Sequence, residues 1–74
     1  MEYVVVRFSQ KRTVYIDGNE SGETDEILRV GPGDHVFRLG GLENYEPKEI
    51  PKRIQDTTPL NPIEITFEEV RNEI

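Results

Sequence analysis

The sequence predicts an all-β fold, a small antiparallel β-sandwich of about six or seven short strands. Three observations predict it. Apolar and β-branched residues alternate with polar ones over short runs, as in Val4, Val6, Phe8 and again in Ile63, Ile65, Phe67. Turn-forming residues recur at intervals of roughly 8–12 residues, the spacing of a small sandwich or barrel. No stretch ahead of Glu68 carries helical periodicity over about ten residues.

Taken in order, Tyr3 to Phe8 reads as the first strand, with Val4, Val6 and Phe8 on one face and Tyr3, Val5 and Arg7 on the other. Ser9 to Arg12 is a polar connection. Thr13 to Asp17 is the second strand, with Val14 and Ile16 inward and Tyr15 outward. Gly18 ends it, because Asp-Gly tolerates the positive φ of a tight turn. Asn19 to Asp25 reads as polar and turn-like. Glu26 to Val30 is the next strand, with Leu28 and Val30 facing the core. Gly31-Pro32-Gly33 forces a turn, since proline fixes φ and glycine permits unusual backbone angles. In Asp34 to Leu39, His35, Phe37 and Leu39 share a face. After the Gly40-Gly41 break, Lys48 to Ile54 forms a strand that Pro51 confines to an edge. Its charged Lys48, Glu49, Lys52 and Arg53 protect that edge against stray strand pairing. Gln55 to Pro62 is a loop, and Ile63 to Phe67 is the last alternating strand. Val70 and Ile74 stand four apart, so residues 68–74 read as a short helix or a frayed tail.

The whole chain, 1–74, is one domain with its core over residues 3–67. At 74 residues it buries only about 60% of its unfolded surface, and without cysteine it has no disulfide to reinforce it. A net charge of −6 argues against nucleic acid and against anionic membrane surfaces, both of which need clustered Lys and Arg. The longest apolar run, Val4-Val5-Val6, is far short of the ~20 residues that span a bilayer. Met1-Glu2 leads straight into a strand-like run with no basic segment or long apolar stretch ahead, so no signal peptide is expected in this chain.

No residue pattern amounts to a catalytic site, and no cofactor is expected. His35 is the only histidine, and its neighbour Asp34 points to the opposite face of the strand, so it reads as a partly buried ring hydrogen-bonded near a turn. Asp17, Asn19, Ser21, Gly22 and Asp25 match positions 1, 3, 5, 6 and 9 of a twelve-residue calcium loop. Position 12 is Leu28 where calcium requires a bidentate Glu, and the flanks are strands rather than helices. An acidic turn, with Asp17 bonding nearby amides, is the leading reading of this loop. Calcium binding by Asp17, Asn19, Ser21 and Asp25 is the alternative. Tyr3, Tyr15 and Tyr45 could line a surface for glycan or protein; Tyr3 and Tyr15 are both expected outward on neighbouring strands.

The order of these motifs resembles the PEGA domains, small β-sandwich repeats. That family shows a strand ending V-x-I-D-G, then G-x-T-P, an apolar pair, a P-G-x-H turn, an alternating strand and a G-Y-x-P element. Here the counterparts are Val14-Tyr15-Ile16-Asp17-Gly18, Gly22-Glu23-Thr24, Leu28 and Val30, Pro32-Gly33-Asp34-His35, Phe37 and Leu39, and Tyr45-Glu46-Pro47. Asp25 replaces the family's proline and Asn44 its glycine; both residues still suit turns. The resemblance implies a sandwich over about residues 3–67 and a cell-envelope or extracellular setting as one repeat of a larger protein. Together with the missing catalytic pattern, it implies a non-catalytic interaction or scaffold module with a protein partner. A calcium- or glycan-binding module using residues 17–26 or the tyrosines is the alternative. Main-chain pairing along an exposed strand such as Tyr3–Phe8 is the expected physical route to partners, including weak self-association.

Overall fold

A computed structural model describes residues 1–70. They form nine strands: β1 (Glu2–Arg7), β2 (Thr13–Ile16), β3 (Asn19–Glu23), β4 (Ile27–Val30), β5 (Gly33–Leu39), β6 (Tyr45–Glu46), β7 (Ile50–Ile54), β8 (Ile63–Thr66) and β9 (Glu68–Glu69). Among the described residues there is no helix, and hence none long and apolar enough to cross a membrane. The expected helix or tail over 68–74 is corrected at its start. Glu68–Glu69 pairs as a strand with Tyr45–Glu46. The rest of that expectation, over 71–74, lies outside the described residues.

Two sheets form the sandwich, one ordered β4-β1-β8 and the other β3-β2-β5-β7, with β6-β9 as a small third. The core lies between the two sheets. Val4, Val6, Leu28, Val30 and Ile65 come from the first, and Val14, Ile16, Phe37, Leu39 and Ile54 from the second. Period-two alternation produces this division, because inward positions are apolar and outward ones mostly polar or charged. Phe8, Tyr45 and Phe67 close one end with edge-to-face contacts at centroid distances of 6.2 and 5.4 Å.

Three expectations change. All pairs within the two main sheets are antiparallel except β1 with β8, which run parallel with Val4 opposite Ile63. A parallel pair needs a long crossover; here that crossover holds the entire second sheet together with β4 and β6. Residues 19–23, read as a turn, form edge strand β3. Only Gly22 of that strand meets the core, so the stretch carries no apolar alternation. Finally, Tyr3–Phe8 is not an exposed edge. β1 is the central strand of its sheet, and Val5 is buried although it faces away from the main core.

Candidate functional site

Four strands end the two main sheets, and they differ in how they resist pairing with another chain. β7 contains Pro51, which cannot donate to a ladder, beside charged Lys52 and Arg53. β3 is acidic and bulged, with Ser21 as the extra residue between the Val14–Gly22 and Tyr15–Glu20 pairs. β8 follows Pro62, places Glu64 outward in an ion pair with Arg7 (3.2 Å), and runs on toward β9. β4 has no proline, glycine or bulge. Its outward residues are Arg29 and Ile27, and Ile27 is 53% exposed. Among the described residues, Ile27 is the one exposed large hydrophobic side chain that belongs to a strand. It stands opposite Val5, and Arg29 stands opposite the half-buried Tyr3. The β4 edge and this Tyr3–Val5–Ile27 face are therefore contiguous.

A polar junction borders the other end of β4. Asp17 and Gly18 both adopt positive φ (53° and 82°), the geometry of a two-residue hairpin turn, and this points the Asp17 carboxylate back at β5. One carboxylate oxygen accepts the Val36 N–H at 2.9 Å, and the other meets His35 Nδ1 at 2.6 Å. His35 Nε2 meets the Gly31 carbonyl, also at 2.6 Å. Carboxylate and carbonyl are both acceptors, so making both bonds requires a proton on each ring nitrogen. The hydrogen bond to Asp17 holds the imidazole pKa above its ordinary 6.5; burial opposes this, and the Gly31 carbonyl and the charges of Asp17 and Asp34 reinforce it. Asp17 is correspondingly held below 3.8, chiefly by His35 and then by the Val36 N–H. An imidazolium bonded on both sides has no lone pair with which to act as a base.

The opposite end is tied by a buried threonine and an arginine. Thr24, 1% exposed, donates its hydroxyl to Gln10 O (3.2 Å), accepts the Arg12 N–H (3.0 Å) and donates its own N–H to Arg12 O (2.9 Å). Arg12 then reaches the Gly40 and Leu42 carbonyls and Asn44 Oδ1, with its guanidinium 5.3 Å from the Phe8 ring centroid.

These placements separate the residues that the alternative calcium reading would bring together. Asp17 lies at the β2–β3 turn and Asp25 beyond the far end of β3, roughly 15 Å of strand away. Asp25 is bonded there to Arg7 at 3.0 Å. Asn19 lies at the start of β3 with its side chain near Asp17 O (3.5 Å), and the Ser21 hydroxyl donates to Asn19 O (2.9 Å). Among the described residues, no three His, Asp or Glu side chains are grouped to hold a metal ion. The shared tyrosine surface is corrected as well. Tyr3 and Tyr15 belong to different sheets, Tyr15 lies under the Arg38 guanidinium (4.2 Å), and Tyr45 is buried with its hydroxyl on Leu39 O. His35 fits its expectation as a partly buried ring bonded beside a turn, and Asp34 indeed points away, toward Arg53 at 3.7 Å. Its pairing with Asp17 escaped the sequence, where 18 positions separate the two residues. An open depression of about 400 Å³, lined by Glu46, Pro47, Thr66 and Glu68, offers carboxylates and a hydroxyl but no basic partner.

The chain matches no protein-family model, no curated protein and no solved structure.

Proposed function

We propose that this chain is a non-catalytic protein-interaction or scaffold module, PEGA-like in its order of motifs, that engages partners by adding their backbone to the β4 edge. The observation that carries this reading is Ile27, an exposed apolar side chain on the one edge of the two main sheets that, among the described residues, lacks proline, bulge or acidic cover. An open edge offers unpaired N–H and C=O groups for main-chain affinity, and alternate side chains for selectivity. The non-catalytic part rests on His35, whose two ring nitrogens are both engaged. The PEGA part rests on the motif order, from Val14-Tyr15-Ile16-Asp17-Gly18 to Tyr45-Glu46-Pro47.

Peptides selected from a random displayed library against the ¹⁵N-labelled domain test the reading. Bound peptides are expected to shift the amide resonances of Ile27–Val30 first. Selected peptides that leave those amides unmoved and shift β7 or the 55–62 loop instead would sink it.

A further inference from the structure

Resting on the β4-edge reading, we propose that His35 is a proton-controlled latch on this edge. Its imidazolium ties the end of β4 to the second sheet, and loss of one ring proton to solvent frees that end and weakens partner binding. Alternation places the main-chain groups that a partner strand would use. On β1, the Tyr3 N–H goes to Thr57 Oγ1 and the Arg7 carbonyl accepts the Phe67 N–H, both on the β8 side. The Val6 carbonyl accepts the Asp25 N–H on the β4 side. Even-numbered β1 residues therefore bond β4, and the Glu2–Val30 and Val4–Leu28 pairs occupy the main chain of Val30 and Leu28. The N–H and C=O groups of Ile27 and Arg29 are left facing the open edge, which ends just short of Gly31.

Gly31 follows β4 directly, and His35 Nε2, on β5, meets its carbonyl at 2.6 Å. The next residue, Pro32, has no N–H to add a tie. The other ring nitrogen is held by Asp17, whose carboxylate also accepts the Val36 N–H and whose own N–H bonds Val36 O. His35 thus clamps the end of an edge strand in one sheet to the β2–β3 turn and β5 of the other. A neutral ring keeps one proton, and Asp17, the charged acceptor, holds it in the stronger bond. Nε2 then turns a lone pair toward the Gly31 carbonyl, and two acceptors at 2.6 Å repel. Gly31 moves away, and β4 loses its tie at that end.

The charged groups around the ring come from each neighbouring element. Asp17 lies at the β2–β3 turn, and Asp34 stands beside His35 on β5. On β7, Lys52 stands opposite His35 as an exposed cation that works against the proton. On β1, Glu2 stands opposite Val30 but bonds Thr57, at 2.6 and 2.9 Å, rather than the ring. Asp17 leads in holding the imidazole pKa above 6.5, so the latch is closed below the folded value and open above it.

The native 74-residue chain and a library peptide selected on it at about pH 6, where the ring is charged, test the latch. Peptide affinity is measured by calorimetry below and above the His35 pKa, itself read by NMR. It is expected to weaken about three- to tenfold across that pKa, as the ordered edge becomes a smaller share of the population. By linkage, bound peptide is expected to raise the imidazole pKa by the logarithm of the same factor. In the free chain, the Gly31 carbonyl ¹³C resonance is expected to follow the His35 titration, and exchange protection of the Leu28 and Val30 amides to fall above it. His35→Gln, which does not titrate, is expected to bind equally at both pH values. That variant also separates the latch from the α-amino group, whose ordinary pKa is about 7.7–8.0. Equal affinity of the native chain on both sides of the pKa overturns the latch and leaves the β4-edge reading standing. So does a pH dependence that persists in His35→Gln, or a Gly31 carbonyl that ignores the titration. Peptides that bind away from β4 overturn the edge reading itself, and the latch falls with it as its regulator.

Discussion

The two ends of the sandwich join its sheets by opposite means. At the Thr24 end, a buried threonine hydroxyl bonds backbone groups of Gln10 and Arg12, and Gly22 next door lets Leu28 approach the β3 backbone. At the Asp17 end the joint is an ion pair still in contact with solvent, with the His35 side chain 17% exposed and that of Asp17 45%. Burial strengthens each bond of the first junction and raises the cost of breaking it. Exposure leaves the second junction weaker and screened, and it makes that junction dependent on protons. One end fixes the fold, and the other responds to its surroundings.

The contrast is broken most severely at Gly22. A Cβ there would lie 2.4 Å from Leu28 Cδ2, and the backbone φ of 147° suits glycine. Gly22→Ala is expected to cost about 2–4 kcal/mol, read from urea unfolding. Thr24→Val keeps the shape, removes two hydroxyl bonds and strands the Arg12 N–H. Its expected cost is about 2 kcal/mol, equal at pH 5 and pH 8, since nothing in that junction titrates there. Tyr45→Phe deletes one buried bond at the same end, to Leu39 O, for about 1 kcal/mol.

The smallest effect lies at the other end and carries the sign of its protonation. Because the His35 pKa is raised in the folded state, its stabilisation is complete below the ordinary 6.5 and fades as pH rises through the folded value. Asp17, held low, contributes above 3.8 and fades only as pH falls through its own folded value. The junction is therefore strongest between about pH 4 and 6.5. Thermal unfolding of the native chain should show Tm declining from pH 6.5 to 8.5, and His35→Gln should flatten that slope. An NMR titration placing the imidazole pKa at or below 6.5 would remove the basis for the contrast.

The Thr24 end was the less legible of the two in the sequence. Val14-Tyr15-Ile16-Asp17-Gly18 gave both the strand and its turn, because alternation and Asp-Gly are local signals. The edge position of the Pro51 strand was legible for the same reason, since a missing N–H has a local consequence. β3 was not, because its only core-facing residue is a glycine with no side chain to alternate. The central place of β1 had a trace in Val4-Val5-Val6: three consecutive apolar residues suit a strand covered on both faces. Pairings such as Val4 with Ile63, or His35 with Asp17, belong to the assembled sheets and leave no local mark. The β4 edge became visible only by exclusion, once the other three edges were seen to be guarded.

The parallel seam between β1 and β8 has a consequence for biosynthesis. Val4 leaves the ribosome 59 residues ahead of its partner Ile63, a delay of roughly 3–12 s at about 5–20 residues per second. Throughout that interval the most apolar strand of the domain lacks one neighbour, and the sheet around it cannot close. The domain therefore closes only after nearly all of it has been made, and its unfinished form is the species most in need of a chaperone.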